Sequence, residues 1–352
     1  MKKTKSFAIN GFGRIGRTAF RIWWQSYQKD LNLVAINTSG SMPLEGWVHL
    51  LKRDTNYGYF DPGITFEEHQ SNKEANDKDP VLGTIKIGDN KILVTAQKDP
   101  SKLTWGEYRA DIIMDATGKF LTTEDAGLHL NAGAKKVLLT APAKSPEIST
   151  SVIGVNQFDF SQNIFSNASC TTNCIAPVVK IIKDEIGVEK AILTTIHSYT
   201  DSQNLLDNSN KDLRAARAAA FNLIPSTTGA AKATTKIIPE LKGLFDGMAV
   251  RVPTPTGSLA DIVFITKRET SKEEVNKILT QEANSPKYRG ILAVSNEPIV
   301  SSDIVGRSES SIVDLDLTQV VGGNLLKIIA WYDNEWGYCV RLLDQLCLIP
   351  TE

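Results

Sequence analysis

Phe7-Ala8-Ile9-Asn10-Gly11-Phe12-Gly13-Arg14-Ile15-Gly16, at residues 7–16, reads as a short buried strand that runs straight into GxGxxG. An amphipathic helical run follows from Arg17 to Tyr27, and Leu31-Asn32-Leu33-Val34-Ala35-Ile36 then reads as a second buried strand. Strand, glycine turn, helix and strand make a βαβ unit. In that setting the glycines allow a tight turn and a close approach of backbone to a pyrophosphate, and the helix start offers N–H groups to the anion. Further apolar runs at Lys91–Ala96, Asp111–Ala116 and Lys136–Thr140 alternate with helical or turn segments, the pattern of a mostly parallel sheet. The expectation for the first half is therefore α/β, a Rossmann-type dinucleotide-binding domain.

The end of the second strand bears on which dinucleotide is bound. An NAD-selective site usually places an acidic residue about 20 residues beyond the glycines, against the ribose 2′-OH. Here the strand runs into Asn37-Thr38-Ser39-Gly40, with no carboxylate. Hydroxyls and N–H groups in such a turn suit a 2′-phosphate, so the sequence leans toward accepting NADP, beside or instead of NAD. Between Asp61 and Pro80 the chain becomes hydrophilic (EEHQSNKEANDKDP) and reads as a solvated loop with no assigned function.

At 352 residues the chain exceeds one usual core, and 41% hydrophobic content is ordinary for a folded protein, so two domains are expected. From about residue 170 the pattern changes. Ala249–Val252, Ile262–Ile265 and Leu325–Tyr332 suggest antiparallel strands, with helices near Thr228–Ile238 and Ser271–Ala283. An α+β catalytic domain is expected after a boundary near Ser169. Net charge is −1 with Lys and Arg dispersed, which gives no electrostatic footprint for nucleic acid or an anionic membrane. No apolar stretch reaches the roughly 18 residues of a membrane span. The MKKTK start followed by SFAIN loses its apolar run at Asn10-Gly11, and reads as a cytoplasmic start. Cys170, Cys174, Cys339 and Cys347 fit neither a disulfide framework nor a zinc pair, so reduced thiols and no metal are expected.

Ser169-Cys170-Thr171-Thr172-Asn173-Cys174 precedes the apolar segment Ile175–Ile182, which puts Cys170 at or near a helix start, where a thiolate is favoured. Taken alone, a cysteine among apolar residues is more often a small core residue. Of the four histidines, His49 lies in an apolar run, His69 in the polar loop and His129 on a helix beside Ala132. His197 ends the strand-like run Ile192–Ile196 and so projects from a rigid element. A thiol paired with an imidazole is the usual route to an ionised cysteine near neutral pH. Three segments read as anion binders or, equally, as caps: Pro225–Ala230 with Thr228 and Gly229, Arg251-Val252-Pro253, and Ser198–Thr200.

Together these segments resemble glyceraldehyde-3-phosphate dehydrogenase of the phosphorylating type. NGFGRIGR at 10–17, ASCTTNC at 168–174, HSYT at 197–200, IPSTTGAAKA at 224–233, RVPTP at 251–255 and WYDNEWGY at 331–338 stand in that family's order and spacing. The resemblance implies that Cys170 attacks the aldehyde carbon and that His197 activates it and assists hydride transfer. Asn334 would hold the nicotinamide carboxamide, with Tyr338 nearby. Thr200 and Arg251 would form one phosphate site, and Ser169, Thr171, Thr228 and Gly229 the other. Gly11, Gly13, Arg14, Ile15 and Gly16 would line the pyrophosphate, with Thr117, Gly118 and Thr140 along the cofactor. It implies inorganic phosphate as co-substrate, a homotetramer, and residues 1–169 as the coenzyme domain, completed by a helix at 337–352, with 170–336 as the catalytic domain.

Several positions depart from the family pattern. Thr38 and Ser209 stand where NAD-restricted members commonly carry Asp and Pro, and both resemble NADP-accepting members; Ser39 follows in the same turn. Lys98 replaces an Arg near the adenine, and Ala215 replaces an arginine that some relatives use for phosphate. The 67–80 segment is longer than usual. Erythrose-4-phosphate dehydrogenase shares ASCTTNC, but relatives of that type lack the HSYT and TTGAAKA patterns present here. A catalytically silent binding protein on the same fold is the remaining alternative.

Overall fold

The computed structural model describes residues 4–351, so the first residues of the MKKTK start lie outside the described residues. The chain divides into two compact units. Met1–Thr150, Phe158–Asn167 and Cys339–Glu352 form the first, and Ser151–Gln157 with Ala168–Tyr338 the second.

In the first unit the elements in chain order are β1 (Lys5–Asn10), α1 (Arg14–Ile22), β2 (Leu31–Thr38), α2 (Leu44–Lys52), β3 (Arg53–Asp54), β4 (Gly58–Tyr59), β5 (Thr65–Glu68), β6 (Val81–Ile87), β7 (Asn90–Ala96), β8 (Ile112–Asp115), α3 (Thr123–Asn131), β9 (Lys136–Leu139), β10 (Ser149–Thr150) and β11 (Ile164–Ser166). Nine strands form one sheet in the order β10-β11-β9-β8-β1-β2-β7-β6-β5. Every pairing from β10 to β7 is parallel; β6 and β5 add an antiparallel edge. The central strand β1 has Phe7, Ala8 and Ile9 fully buried, as a strand covered on both faces requires. Its neighbours β2 and β8 leave on opposite sides, so the GxGxxG turn sits where the strand order reverses, the place where open α/β sheets bind ligands.

Two expectations are corrected here. The helix after the glycines begins at Arg14, and Trp23–Tyr27 is a wider π turn rather than more α-helix. That turn accompanies a fully buried Trp23 ring, packed edge-on to Phe7 and Phe20 with its indole N–H donating to Leu31 O at 2.7 Å. The polar 61–80 segment is not all loop. Thr65–Glu68 is the edge strand β5, and all four residues are exposed, so no apolar alternation marked it.

The second unit comprises α4 (Cys170–Glu185), β12 (Val188–Ser198), β13 (Ile224–Thr227), α5 (Ala230–Ile237), β14 (Phe245–Val252), β15 (Ser258–Thr266), α6 (Lys272–Ala283), β16 (Leu292–Ser295), β17 (Ser311–Val321) and β18 (Leu325–Tyr332). Its seven-stranded sheet runs β13-β14-β12-β15-β18-β17-β16. The strand at Ala249–Val252 is antiparallel to β13 but parallel to β12, a correction to the purely antiparallel reading. Between β12 and β14 the chain returns through β13, which runs against both strands, and then α5, so β14 starts again at the end where β12 starts, as a parallel pairing requires. Cys174, Ile175, Val178 and Ile182 of α4 are fully buried in one core with Leu193, Ile262, Ile328 and Ala330 of the sheet. Burial of such a side chain is worth about 1.5–3 kcal/mol, so the helix that begins at Cys170 is firmly seated. A last helix, α7 (Trp336–Leu348), closes the chain.

Candidate active site

In the first unit, Gly11 has φ +98° and Gly16 leaves no room for a side chain, because a Cβ there would lie 2.2 Å from Gly11 O. Those two glycines make the turn itself. At Gly13 an added Cβ would meet nothing within 4 Å, and no side chain caps α1 at this residue. That open space at a helix start is where a pyrophosphate fits. The Arg14 side chain turns elsewhere, pairing with Asp54 at 2.5 Å, so in this stretch the backbone at Arg14 and Ile15 is what an anion would meet.

Thr38 differs from the sequence expectation. It is 2% exposed, and its hydroxyl donates to Thr95 O at 2.9 Å while accepting from Gly40 N at 3.3 Å. The exposed hydroxyls in this turn belong to Ser39 and Ser41, 2.9 Å apart. Lys98 is exposed nearby in sequence after β7. Thr117 is anchored by Asp115, which accepts from its N–H at 3.1 Å and its hydroxyl at 2.7 Å. Gly118 follows with φ +67° and open space around it, and Thr140 begins the loop after β9.

Behind these loops runs a buried polar chain that motif reading missed. Trp105 Nε1 donates to His129 Nδ1 at 3.0 Å, so Nε2 carries the proton toward Asp115 at 3.1 Å. Asn10 donates to the same carboxylate at 2.7 Å and accepts from Asn37 at 2.7 Å. The carboxylate that holds Thr117 is thus itself held at the ends of β1, β2 and β8. His129, set aside on sequence as a helix residue, is part of that support.

In the second unit the thiol and the imidazole meet. Ser169 is the N-cap of α4, its hydroxyl accepting from Thr172 N at 3.1 Å, and Cys170 is the first helical residue. Just before it, Ala168 has φ +57° and is fully buried. A left-handed alanine is strained, and such strain persists where surroundings impose it. One imposing contact is the Tyr338 hydroxyl, which donates to Ala168 O at 3.2 Å. Tyr338 therefore supports the turn into the helix, a role its motif did not signal.

His197 Nε2 lies 3.5 Å from Cys170 Sγ. The imidazole, 5% exposed on β12, also has Nδ1 at 2.7 Å from Ser198 O and at 2.6 Å from Arg251 Nη1. Arg251 reaches it from the adjacent position on β14, since His197 and Arg251 are register partners. Burial, reinforced by the Arg251 charge, holds the imidazole down at about 3. Burial also pushes the Cys170 thiol up, against the Arg251 charge and the bonds from Thr171. The helix start expected to favour a thiolate is present, yet desolvation outweighs it, and at neutral pH the pair is thiol and neutral imidazole.

Tyr332, at 1% exposure, lies beneath this pair. Its hydroxyl joins Thr171 Oγ1 at 2.9 Å and Thr195 Oγ1 at 2.8 Å, and its ring stands edge-on to His197, centroids 5.9 Å apart. The motif WYDNEWGY contains this residue, but only the fold reveals contacts across such sequence distances. Ser169 and Thr171, read as anion ligands, thus have their hydroxyls engaged internally, the first with Thr172 and the second with Tyr332. Thr228 and Gly229 do stand at the start of α5, whose N-cap Gly229 has no side-chain cap, and the Thr228 hydroxyl accepts from Ala230 N at 3.2 Å. Thr200 is half-buried and bonds Ser202 at 2.9 Å. Ser209 lies on the exposed, irregular 201–223 segment. The Asn334 carbonyl oxygen accepts from Ser258 Oγ at 2.9 Å and Gly257 N at 3.2 Å, so the partners fix which half is oxygen and which is the NH₂ donor.

Two family models match the chain: "Glyceraldehyde 3-phosphate dehydrogenase, NAD binding domain" over residues 5–123 and "Glyceraldehyde 3-phosphate dehydrogenase, C-terminal domain" over residues 169–334. The chain is 45% identical over 341 residues to the chloroplastic glyceraldehyde-3-phosphate dehydrogenase A of Chlamydomonas reinhardtii, covering 96% of this chain and 86% of that one. It is 46% identical over 349 residues to glyceraldehyde-3-phosphate dehydrogenase 2 of Nostoc sp., covering 98% of each. A glyceraldehyde-3-phosphate dehydrogenase of Zymomonas mobilis is 45% identical over 339 residues, 96% of each chain.

Proposed function

The chain belongs to the glyceraldehyde-3-phosphate dehydrogenase family, phosphorylating its aldehyde substrate at the expense of NAD and/or NADP, and we propose that it does so through a thioester on Cys170 with His197 as the proton carrier. The observation that carries the reading is the 3.5 Å approach of His197 Nε2 to Cys170 Sγ at the start of α4. As the sulfur adds to the aldehyde carbon, its proton leaves by way of the imidazole. The tetrahedral oxyanion is met by Cys170 N–H and by the protonated imidazole, a contribution of roughly 2.7–4 kcal/mol per donor in comparable sites. A bound nicotinamide supplies the hydride acceptor. The Asn334 NH₂, set by Ser258 and Gly257, orients the carboxamide of that ring. Inorganic phosphate then takes the acyl group from sulfur, and His197 returns to the neutral form.

Thr200 and Arg251 would hold one phosphate, and Thr228 and Gly229 the other at the start of α5. Ser169 and Thr171 join the second site only by giving up their internal partners, so Thr228 and Gly229 are its stronger half. The first unit would bind the coenzyme and the second carry the chemistry. A lean toward NADP rests on the absence of a carboxylate at Thr38-Ser39 and on the exposed Ser39 and Ser41 hydroxyls. A homotetramer is supported by exposed apolar side chains, namely Leu205, Leu206, Leu213 and Phe221 on the irregular segment, and Ile192 and Met248 on the outer face of the sheet. Four free cysteines agree with a reducing, cytoplasmic setting. Among the described residues no helix is long and apolar enough to cross a membrane.

Purified protein should reduce NAD or NADP with glyceraldehyde 3-phosphate only when inorganic phosphate is present, and faster than with erythrose 4-phosphate. Cys170→Ala should abolish this while coenzyme binding remains. Turnover by the variant would remove the thioester, and phosphate-independent turnover would favour the hydrolytic reaction.

A further inference from the structure

The hydrophilic stretch after β5 folds without an apolar core. At its base Gln70 Nε2 donates to Asp79 O and Val81 O, both at 2.9 Å. Within it, Ser71 O accepts from the N–H groups of Glu74 and Ala75 at 3.1 Å, and Asn76 Oδ1 accepts from Lys78 N at 3.0 Å. A polar segment of this kind gains little from burial, so its hydrogen bonds to the rest of the unit decide what it does. Two of its side chains reach out. Asn72 donates to Gly40 O at 3.0 Å, in the turn after β2. Asp77 accepts from Gln97 Nε2 at 3.2 Å and pairs with Lys102, both just beyond β7. Gln97 is in turn clamped to the end of β2, its N–H donating to Asn37 Oδ1 at 2.9 Å and its carbonyl accepting from Asn37 Nδ2 at 2.7 Å. Residues 71–79 thus bridge the two turns at the carboxyl ends of the neighbouring parallel strands β2 and β7, with the exposed Lys98 between Gln97 and Asp99.

We propose that residues 71–79 are a bracket that sets coenzyme specificity, in which Asn72 holds the turn at residues 39–41 in shape for a 2′-phosphate and Asp77 ties the bracket to the turn after β7. Both are positioning residues, and the proposal rests on the turn after β2 meeting the adenosine ribose. Gly40 has φ +68° and no side chain to anchor it, and its N–H reaches Thr38 Oγ1 at 3.3 Å. Asn72 fixes the other end of the same residue. Because a trans peptide is planar, an oxygen held toward Asn72 also sets the direction of the Ser41 N–H, and with it the placing of the Ser41 hydroxyl beside Ser39. A ribose hydroxyl can rotate to suit its partners. A phosphate dianion draws its binding from several donors aimed at once, so a loosened turn weakens NADP more than NAD.

Charge alone predicts the reverse for one of these residues. Asp77→Ala removes a carboxylate from beside Lys102, which would strengthen NADP binding if electrostatics acted by itself. The experiment is fluorescence titration of the purified protein with NAD and with NADP, beside amide hydrogen exchange of the coenzyme-free form. Asn72→Ala and Asp77→Ala should each raise the NADP Kd about three- to tenfold, the range of one lost hydrogen bond, and move the NAD Kd by less than about twofold. Exchange at residues 39–41 should quicken in Asn72→Ala before any coenzyme is added. A tighter NADP complex in Asp77→Ala, equal weakening of both coenzymes, or unchanged exchange at 39–41 in Asn72→Ala would each overturn the proposal. A Kd ratio that holds in both variants but shifts in Ser39→Ala overturns the bracket alone; a ratio that holds in all three shows that the turn itself does not meet the ribose.

Discussion

Removing a single oxygen, by Tyr332→Phe, tests whether the hydroxyl beneath Cys170 and His197 holds the two in place. Phenylalanine keeps the ring, its burial and its edge contact with His197, so the change is confined to the hydrogen bonds. Thr195 Oγ1 also lies 3.2 Å from Leu259 O and keeps a partner for its proton. Thr171 Oγ1 is left with Cys170 Sγ at 4.0 Å. One buried hydroxyl is thus stranded, at a cost of about 1–3 kcal/mol. For a unit of this size about 2 kcal/mol lowers Tm by roughly 4–8 °C. The stranded proton has one remaining acceptor, the sulfur, so thiol alkylation at fixed pH should become faster even as stability falls. Calorimetry and iodoacetamide kinetics read the two effects. Thr171→Val on its own should lower Tm too, and the double variant should lose clearly less than the sum, since removing both members of a buried pair leaves nothing unmatched. Additive losses, or a Tyr332→Phe protein whose Tm stays within about 1 °C of wild type, would refute the reasoning.

The glycines of the first turn should separate by function. Gly16→Ala, with its Cβ 2.2 Å from Gly11 O, should destabilise the unit and abolish coenzyme binding, whereas Gly13→Ala should leave Tm unchanged and weaken binding alone, as read by calorimetry and fluorescence titration with NADP. Thr38→Asp should lower the NADP/NAD ratio of kcat/KM through repulsion of a 2′-phosphate; because the Thr38 hydroxyl is internal, Ser39→Ala should lower it as well, and an unchanged ratio in both would remove this turn from coenzyme selection. The imidazole of His197 is held at about 3 against an ordinary 6.5. A depressed folded value means that its contribution is complete above 6.5 and is lost as pH falls toward 3, on the order of 5 kcal/mol in all. His197→Gln should therefore flatten the acid limb of the stability curve in that window, and an identical limb would show that the imidazole is not buried neutral.

The sequence carried the parts of the molecule that local chemistry dictates. GxGxxG between two apolar runs marked the βαβ unit, and an apolar helix after Ser169-Cys170 marked the start of α4. His197 stood out because it ends a strand with no competing base. What escaped has a common physical origin. β5 is an exposed edge strand and needs no apolar face. The pairing of β12 with β14 depends on a crossover, which no short pattern encodes. Tyr332, Thr171 and Thr195 meet only because α4 packs on the sheet, and the Thr38 hydroxyl looks available until Thr95 O claims it. Likewise the neutral state of Cys170 and His197 is a property of burial, which the helix start alone does not disclose.

The alanine ahead of Ser169 carries a practical consequence for anyone wishing to redesign the enzyme. Position 168 has a positive φ and no accessible surface, so two filters act on it together. Branched and bulky side chains fail on the dihedral angle, and polar ones that tolerate the angle, such as asparagine, fail on the missing water. A saturation library at this codon should collapse to alanine and glycine, and glycine would let the direction in which Cys170 points wander.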